Sequence, residues 1–211
     1  MACDLPPGAP NTDRAETDTG RGPREAWITH ATDRYPHGAL GDPVEAGGIA
    51  VHTRRGRADG LCPIVVELPP NRVFEDAMPR IADLDGDGRN EVVVVESDAG
   101  KGARLTAWGL RGARLKRIAS TPWIGRPNRW LAPVGIADLT GDGRLEVAYV
   151  ETPHLGKTLR LVALRNGRFV ELASASNLTN HRFGEPWMDG GIRDCFDDAP
   201  AKIVTANGDW T

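Results

Sequence analysis

Apolar positions along this chain come in short bursts rather than at helical spacing. Between Pro79 and Ser120 there are four: Pro79 to Ala82, Glu91 to Ser97, Arg104 to Gly109 and Arg114 to Ala119. Four more follow as Pro133 to Ala137, Glu146 to Glu151, Thr158 to Leu164 and Arg168 to Ala173. Gly, Asp and Arg punctuate them, and no stretch sustains the 3.6-residue period of an amphipathic helix. Runs of this length bounded by turn residues predict strands. Four strands recurring at a fixed interval predict an all-β repeat architecture whose unit is a β-propeller blade.

The repeat is marked by its loops. Asp83-Leu84-Asp85-Gly86-Asp87-Gly88-Arg89-Asn90-Glu91 runs straight into the strand Val92 to Val95, and Asp138-Leu139-Thr140-Gly141-Asp142-Gly143-Arg144-Leu145-Glu146 does the same 55 residues later. Carboxylates at the first, third and fifth places point together when the chain curls tightly, and the glycines permit that curl. Oxygen-only donors suit a hard cation such as Ca2+. An EF-hand needs Glu at the twelfth place, where this chain has Val94; here the closing acid is the ninth residue. The expected ligands are Asp83, Asp85, Asp87, the Arg89 carbonyl and Glu91. In the second loop they are Asp138, Thr140, Asp142, Arg144 and Glu146, and Thr140 in place of a carboxylate makes that site weaker. The alternative is an acidic Gly-rich turn that holds nothing, disfavoured by the repulsion of clustered carboxylates.

A third copy aligns 56 residues further on: Gly191-Ile192-Arg193-Asp194 matches Gly135-Ile136-Ala137-Asp138. With Phe196 at its third place and Lys202 at its ninth, it is expected to keep the fold and lose the metal. The D-x-D-G-D-G-x-x-E loop after a short I-A-D-L-like strand resembles the FG-GAP or VCBS repeats of integrin-type β-propellers, over about Pro79 to Ala206. That resemblance implies a small propeller with structural calcium in its loops, usually on exported proteins, and suggests architecture more firmly than function. The last unit supplies two strands, so the expectation is four blades, beginning near residues 40, 79, 133 and 190, with the last incomplete. The alternation in Arg24 to His30 fits an outer strand that joins this last blade to close the ring. The missing strand suggests truncation of a longer protein.

Composition narrows the remaining choices. With 211 residues, 40% hydrophobic, and 25 glycines, residues 24–211 form one turn-rich domain. Residues 1–23, dense in Pro, Gly, Asp and Thr, are expected to be disordered. A formal charge of -3 gives no reason to expect nucleic acid or an anionic membrane as partner, and no membrane-spanning run is present. Modest calcium sites fill outside the cytoplasm, which favours a periplasmic or secreted location. Cys62 and Cys195 are the one cysteine pair inside the predicted fold, either bridged or two buried thiols.

A second pattern bears on function. Before each innermost strand lies an Arg near an aromatic residue: Arg34-Tyr35 with His37, Arg72 with Phe74, Arg129-Trp130, and His181-Arg182-Phe183. In a propeller these segments share one face near the axis, opposite the calcium loops. Converging there, with Glu75 and Glu185 in reach, they would form a cup for a carboxylate, phosphate or sugar acid. The favoured alternative is a staple, each Arg bridging neighbouring blades, because features present in every repeat usually serve the repeat. Two functions stay open. One is a non-catalytic module that binds a protein or glycan. The other is a lyase or hydrolase for an anionic sugar-like substrate, with His37 or His181 as general base and Arg129 or Arg182 neutralising charge. No nucleophile elbow, paired-acid spacing or catalytic zinc motif appears, which places binding first.

Overall fold

A computed structural model of the chain describes residues 5–53, 62–194 and 200–210. Every regular element among them is a β-strand. The second unit shows the plan most clearly. β5 (Arg72–Phe74) and β6 (Arg80–Ala82) both pair with β7 (Glu91–Asp98), which pairs with β8 (Gly102–Arg111), which pairs with β9 (Arg114–Ser120). Its innermost strand is thus in two pieces, and Glu75 to Pro79 loop out between them. The third unit is an uninterrupted antiparallel meander of β10 (Leu131–Ala137), β11 (Glu146–Glu151), β12 (Thr158–Arg165) and β13 (Arg168–Ala175). The eight predicted strands of these two units are all present. In both units the ladder slips between the third and fourth strands, at Ala107/Trp108 and at Leu161/Val162, so the repeat extends to its irregularities.

β7 explains how the units stack. Its four valines are fully buried, and alternation sends successive side chains to opposite faces. Val92 and Val94 join Ile28, Ile49, Phe74 and Trp108 in one core; Val93 and Val95 join Leu105, Trp130, Leu131 and Tyr149 in the other. The second unit is therefore packed between the first and third, and it joins the first in one nine-stranded sheet where Ala46 on β3 (Glu45–Thr53) pairs with Phe74. Both of its faces are dry, which is why β7 reads as a continuous apolar run.

The first unit departs from expectation. β2 (Pro23–Thr32) pairs with β3 (Glu45–Thr53) along its length, from Pro23↔Thr53 to Thr32↔Glu45, and β4 (Ile64–Glu67) pairs with the far side of β3. Arg24 to His30 consequently does not complete the last unit; it opens the first, which begins near residue 23 and not 40. Its apolar alternation signalled a strand but carried no information about the neighbour. The last unit consists of two short pairs, β14 (Leu178–Thr179) with β17 (Ala206–Asn207) and β15 (Gly191–Arg193) with β16 (Lys202–Val204). Phe196 and Cys195 lie outside the described residues.

Residues 5–22 are not disordered. β1 (Ala15–Glu16) pairs with Glu25 and Ala26, the Trp27 indole donates to the Pro6 carbonyl at 3.0 Å, and Ala9 N donates to Ile28 O at 3.1 Å. Composition predicts disorder for a segment that must bury its own apolar surface. This one instead takes up the open hydrogen-bonding edge of β2, which needs backbone and no apolar side chains. Cys62 is disulfide-bonded, and the chain's other cysteines, Cys3 and Cys195, lie outside the described residues. Among the described residues no helix is long and apolar enough to cross a membrane.

Candidate functional site

Gly86 and Gly88 adopt φ of 75° and 79°, the left-handed turn that folds Asp83–Glu91 back on itself, and Gly141 and Gly143 repeat it at 77° and 79°. In the first loop, one carboxylate oxygen each from Asp83, Asp85 and Glu91 lies within 4.8 Å of the others. Asp83 Oδ2 accepts from Gly88 N at 2.8 Å and Glu91 Oε2 from Leu84 N at 3.0 Å. Asp83 Oδ1 is buried with no hydrogen-bond partner. A buried, bare carboxylate oxygen beside two more carboxylates fits a divalent cation. Burial, partly countered by the Leu84 N–H, and then Asp85, Asp87 and Asp83 push the Glu91 carboxyl up to about 7. Asp87 Oδ1 caps Arg89 N on the exposed side of the turn.

The second loop has the same backbone and different satisfaction. Asp138 Oδ1 accepts from Gly141 N and Asp142 N, and Asp138 Oδ2 from Gly143 N. Glu146 accepts from Leu139 N, Thr140 N and the Thr140 hydroxyl, so Thr140 occupies the closing acid. Arg144 N is held by Asp142, whose carboxylate also faces the Arg165 guanidinium at 3.7 Å. This loop neutralises itself with N–H donors and a cation where the first leaves an oxygen bare.

The four Arg-aromatic segments do not form one ring of guanidiniums. Arg34 donates to the Arg72 carbonyl at 2.9 Å and to the Leu68 carbonyl, and is a staple. Arg72 bonds Asp98 at 3.1 Å and fully buried Glu96 at 3.2 Å. Glu96 also holds Arg104 and Arg117, and Trp123 lies against the Arg104 guanidinium, 3.9 Å from its ring centroid. Arg182 pairs with Asp189 and covers the Trp210 ring at 3.7 Å. Arg129 lines an open pocket, and it has no carboxylate partner among the described residues.

That pocket, of about 310 Å³, is lined by His37, Asn128, Arg129, Trp130, Thr152 to Leu155 and Phe183. It gathers the segments that lead into the inner strands and the turn that follows β11. Tyr35 sits beneath, edge-on to His37. The Trp130 indole donates to the Glu75 carbonyl at 2.8 Å, tying the third unit to the second, and its ring lies parallel to His154 and edge-on to His181. Thr152 is β-branched yet sits at φ 48°. Its hydroxyl accepts from Gly156 N and its carbonyl from Leu155 N and Lys157 N, which locks the tight turn presenting His154. The sequence reading missed His154, since neither the repeat nor the Arg-aromatic pattern marks that turn.

Two imidazoles here are oriented by buried partners. His37 Nδ1 is 2.5 Å from Glu75 Oε1, and the other Glu75 oxygen takes the Ser97 hydroxyl. Nothing among the described residues bonds His37 Nε2. His154 Nε2 is 2.7 Å from His181 Nδ1, and His181 Nε2 donates to the Glu185 carbonyl at 2.8 Å. Burial, then His181, His37 and Lys157, depress His154 to about 4; burial also lowers His181. Further inside, burial followed by Glu75, Asp42 and Asp76 raises Glu45 to about 10.

A family model described as an FG-GAP-like repeat matches residues 83–149. No curated protein matches the chain. Solved structures of similar fold include the exotype rhamnogalacturonan lyase YesX, with a TM-score of 0.56 and 16% identity over 100% of this chain and 43% of that one. Rhamnogalacturonan lyase YesW gives 0.54 and 16% over 99% and 44%, and a Bacillus licheniformis rhamnogalacturonan lyase 0.54 and 14% over 99% and 44%. At these identities the likeness is one of fold, and the chain spans less than half the length of each. The match begins at the first carboxylate of one loop, includes the whole of the second and ends in the strand beyond it. Residues 83–149, then, are the part of this chain that resembles an FG-GAP-like repeat.

Proposed function

We propose that the protein is a calcium-stabilised β-propeller of four blades, the last incomplete, that works outside the cytoplasm as a binding module for a protein or glycan. The pocket around Arg129, Trp130, His154 and Phe183 is its ligand site. The observation that carries this reading is a guanidinium with no carboxylate partner among the described residues, set among aromatic faces at the meeting point of several units. A sugar ring lays its C–H face on Trp or Phe, and a carboxylate takes the guanidinium. Calcium would be held by Asp83, Asp85 and Glu91, with Asp87 and the Arg89 carbonyl on the same turn, and would fix the loop that leads into β7. The second loop, Asp138 to Glu146, would bind more weakly. The Cys62 disulfide supports an oxidising, periplasmic or secreted setting.

The test is calorimetric titration with a uronic-acid oligosaccharide. Binding is expected for the wild type and loss of it for Arg129→Ala at an unchanged melting temperature. Equal binding by the two proteins would remove Arg129 from the site.

The second reading is an enzyme acting on an anionic sugar-like substrate, favoured by the Glu75–His37 pair and by the fold shared with the lyases. Glu75 would orient His37 so that Nε2 takes a proton from the substrate while Arg129 neutralises developing charge. His181 is unsuited to that role because both of its nitrogens are already bonded, and Arg182 is tied to Asp189. Release of new reducing ends by the wild type and not by His37→Gln would establish this reading.

A further inference from the structure

Hydrogen-bond direction along Glu185, His181 and His154 can be worked out atom by atom. A carbonyl oxygen only accepts, so His181 Nε2, 2.8 Å from Glu185 O, carries the proton. A neutral His181 then has a lone pair at Nδ1 and can only accept there. The nitrogen facing it at 2.7 Å, His154 Nε2, must therefore donate. A neutral His154 with its proton on Nε2 has a bare lone pair on Nδ1. That atom has no hydrogen-bond partner among the described residues, and the ring lines the pocket beside Arg129 and Phe183.

We infer that His181 is a positioning residue that locks His154 in one tautomer, which leaves a hydrogen-bond acceptor on a ring lining the same pocket as Arg129. The inference rests on the pocket being the ligand site. It adds a selection rule: the favoured ligand carries a negative group for Arg129 and, a few atoms away, a hydroxyl or N–H that donates to His154 Nδ1. A polyhydroxylated sugar acid meets both demands, whereas a bare carboxylic acid of the same size meets one. His181 makes this selection without touching the ligand, because it is buried behind Trp130 and His154.

Long-range 1H–15N correlation on 15N-histidine-labelled wild-type protein at pH 7 reads the tautomer directly and needs no variant. His154 is expected to show Nε2 protonated and Nδ1 with the shift of an unprotonated nitrogen. Protonation at Nδ1, or averaging of both tautomers, would overturn the inference whatever the pocket binds. In His181→Phe, provided it retains the wild-type fold by circular dichroism, the single tautomer should give way to a mixture; an unchanged tautomer would likewise overturn it. Titration with galacturonate and with cyclohexanecarboxylate then reads selectivity. Wild type should prefer galacturonate by about tenfold, the worth of one hydrogen bond, and His154→Phe should lose that preference while keeping the aromatic face. Equal affinities in the wild type would overturn the selection rule. If neither acid binds, the sugar-acid reading of the site fails, and the spectrum alone decides the relay.

Discussion

At the scale of single residues, the proposed calcium site would make stability depend on pH and on metal together. The Glu91 carboxyl titrates at about 7 in the folded protein against 4.5 for the ordinary group. Without metal the folded state therefore holds more protons than the unfolded one between those values. This stabilisation is complete below the unfolded value and is lost as pH rises through about 7, a fall of about 3 kcal/mol by pH 8. Calcium should reverse the sign, because the cation prefers the ionised acid. Chemical denaturation at pH 5 and pH 8, with EDTA and with calcium, checks this: metal-free protein should weaken toward pH 8, and the calcium-loaded protein should not. Glu45 offers a contrasting case. Titrating at about 10, it is neutral at pH 7 in the folded state but ionised in the unfolded one, so Glu45→Gln should raise stability there by about 3 kcal/mol. A loss of stability would mean that Glu45 is ionised in the folded protein.

At the scale of elements, the second unit is held on both faces and stitched along one end by charge. Glu96, fully buried on β7, accepts from Arg72, Arg104 and Arg117, which come from β5, β8 and β9. All four ranks of the unit thus meet at one carboxylate. Removing it strands the Arg104 guanidinium, which is buried beside Trp123. Glu96→Ala should cost about 3–5 kcal/mol by urea denaturation, the usual penalty for an uncompensated buried charge, while the exposed pair Arg182–Asp189 should be worth under about 1. These networks also show what a sequence discloses. Asp83, Asp85 and Glu91 were readable because their meeting depends on one local turn, and the strands from β6 to β13 because each carries its own alternation. The fates of Arg34 and Arg72 were not readable, since a guanidinium looks the same in sequence whether it faces a carbonyl, a buried acid or a pocket. His154 was hidden for a similar reason: its position follows from the left-handed turn at Thr152, and nothing in the motif pattern flags that turn.

At the scale of the whole molecule, the N-terminal segment ties distant parts together, and its anchor is the first carboxylate loop. Arg21 N donates to Gly88 O at 3.0 Å and Asn90 N to Arg21 O at 2.7 Å, while the Arg21 guanidinium reaches the carbonyls of Asp87 and Gly88. The Asn90 amide donates to the carbonyls of Thr19 and Pro23 at 2.8 and 2.9 Å. A loop that changes shape when its carboxylates lose their cation would release those carbonyls and the strap with them. Calcium at a hundred times its dissociation constant would stabilise the folded state by about 2.7 kcal/mol, so EDTA should lower the melting temperature by roughly 5–10 °C, and Asp83→Ala should reproduce most of that fall. Well below melting, the same change should appear locally. Trypsin should cut after Arg14, Arg21 or Arg24 about tenfold faster in EDTA than in calcium, because local opening governs the rate when the rest of the fold is intact. Asn90→Ala should speed cleavage in calcium too, since it removes two of the strap's anchors and leaves Asp83, Asp85 and Glu91 in place. Cleavage at equal rates with and without calcium, alongside a melting temperature that does respond to the metal, would show that the strap is held by β2 alone. The carboxylate loop would then stabilise the second unit without governing the segment that crosses it.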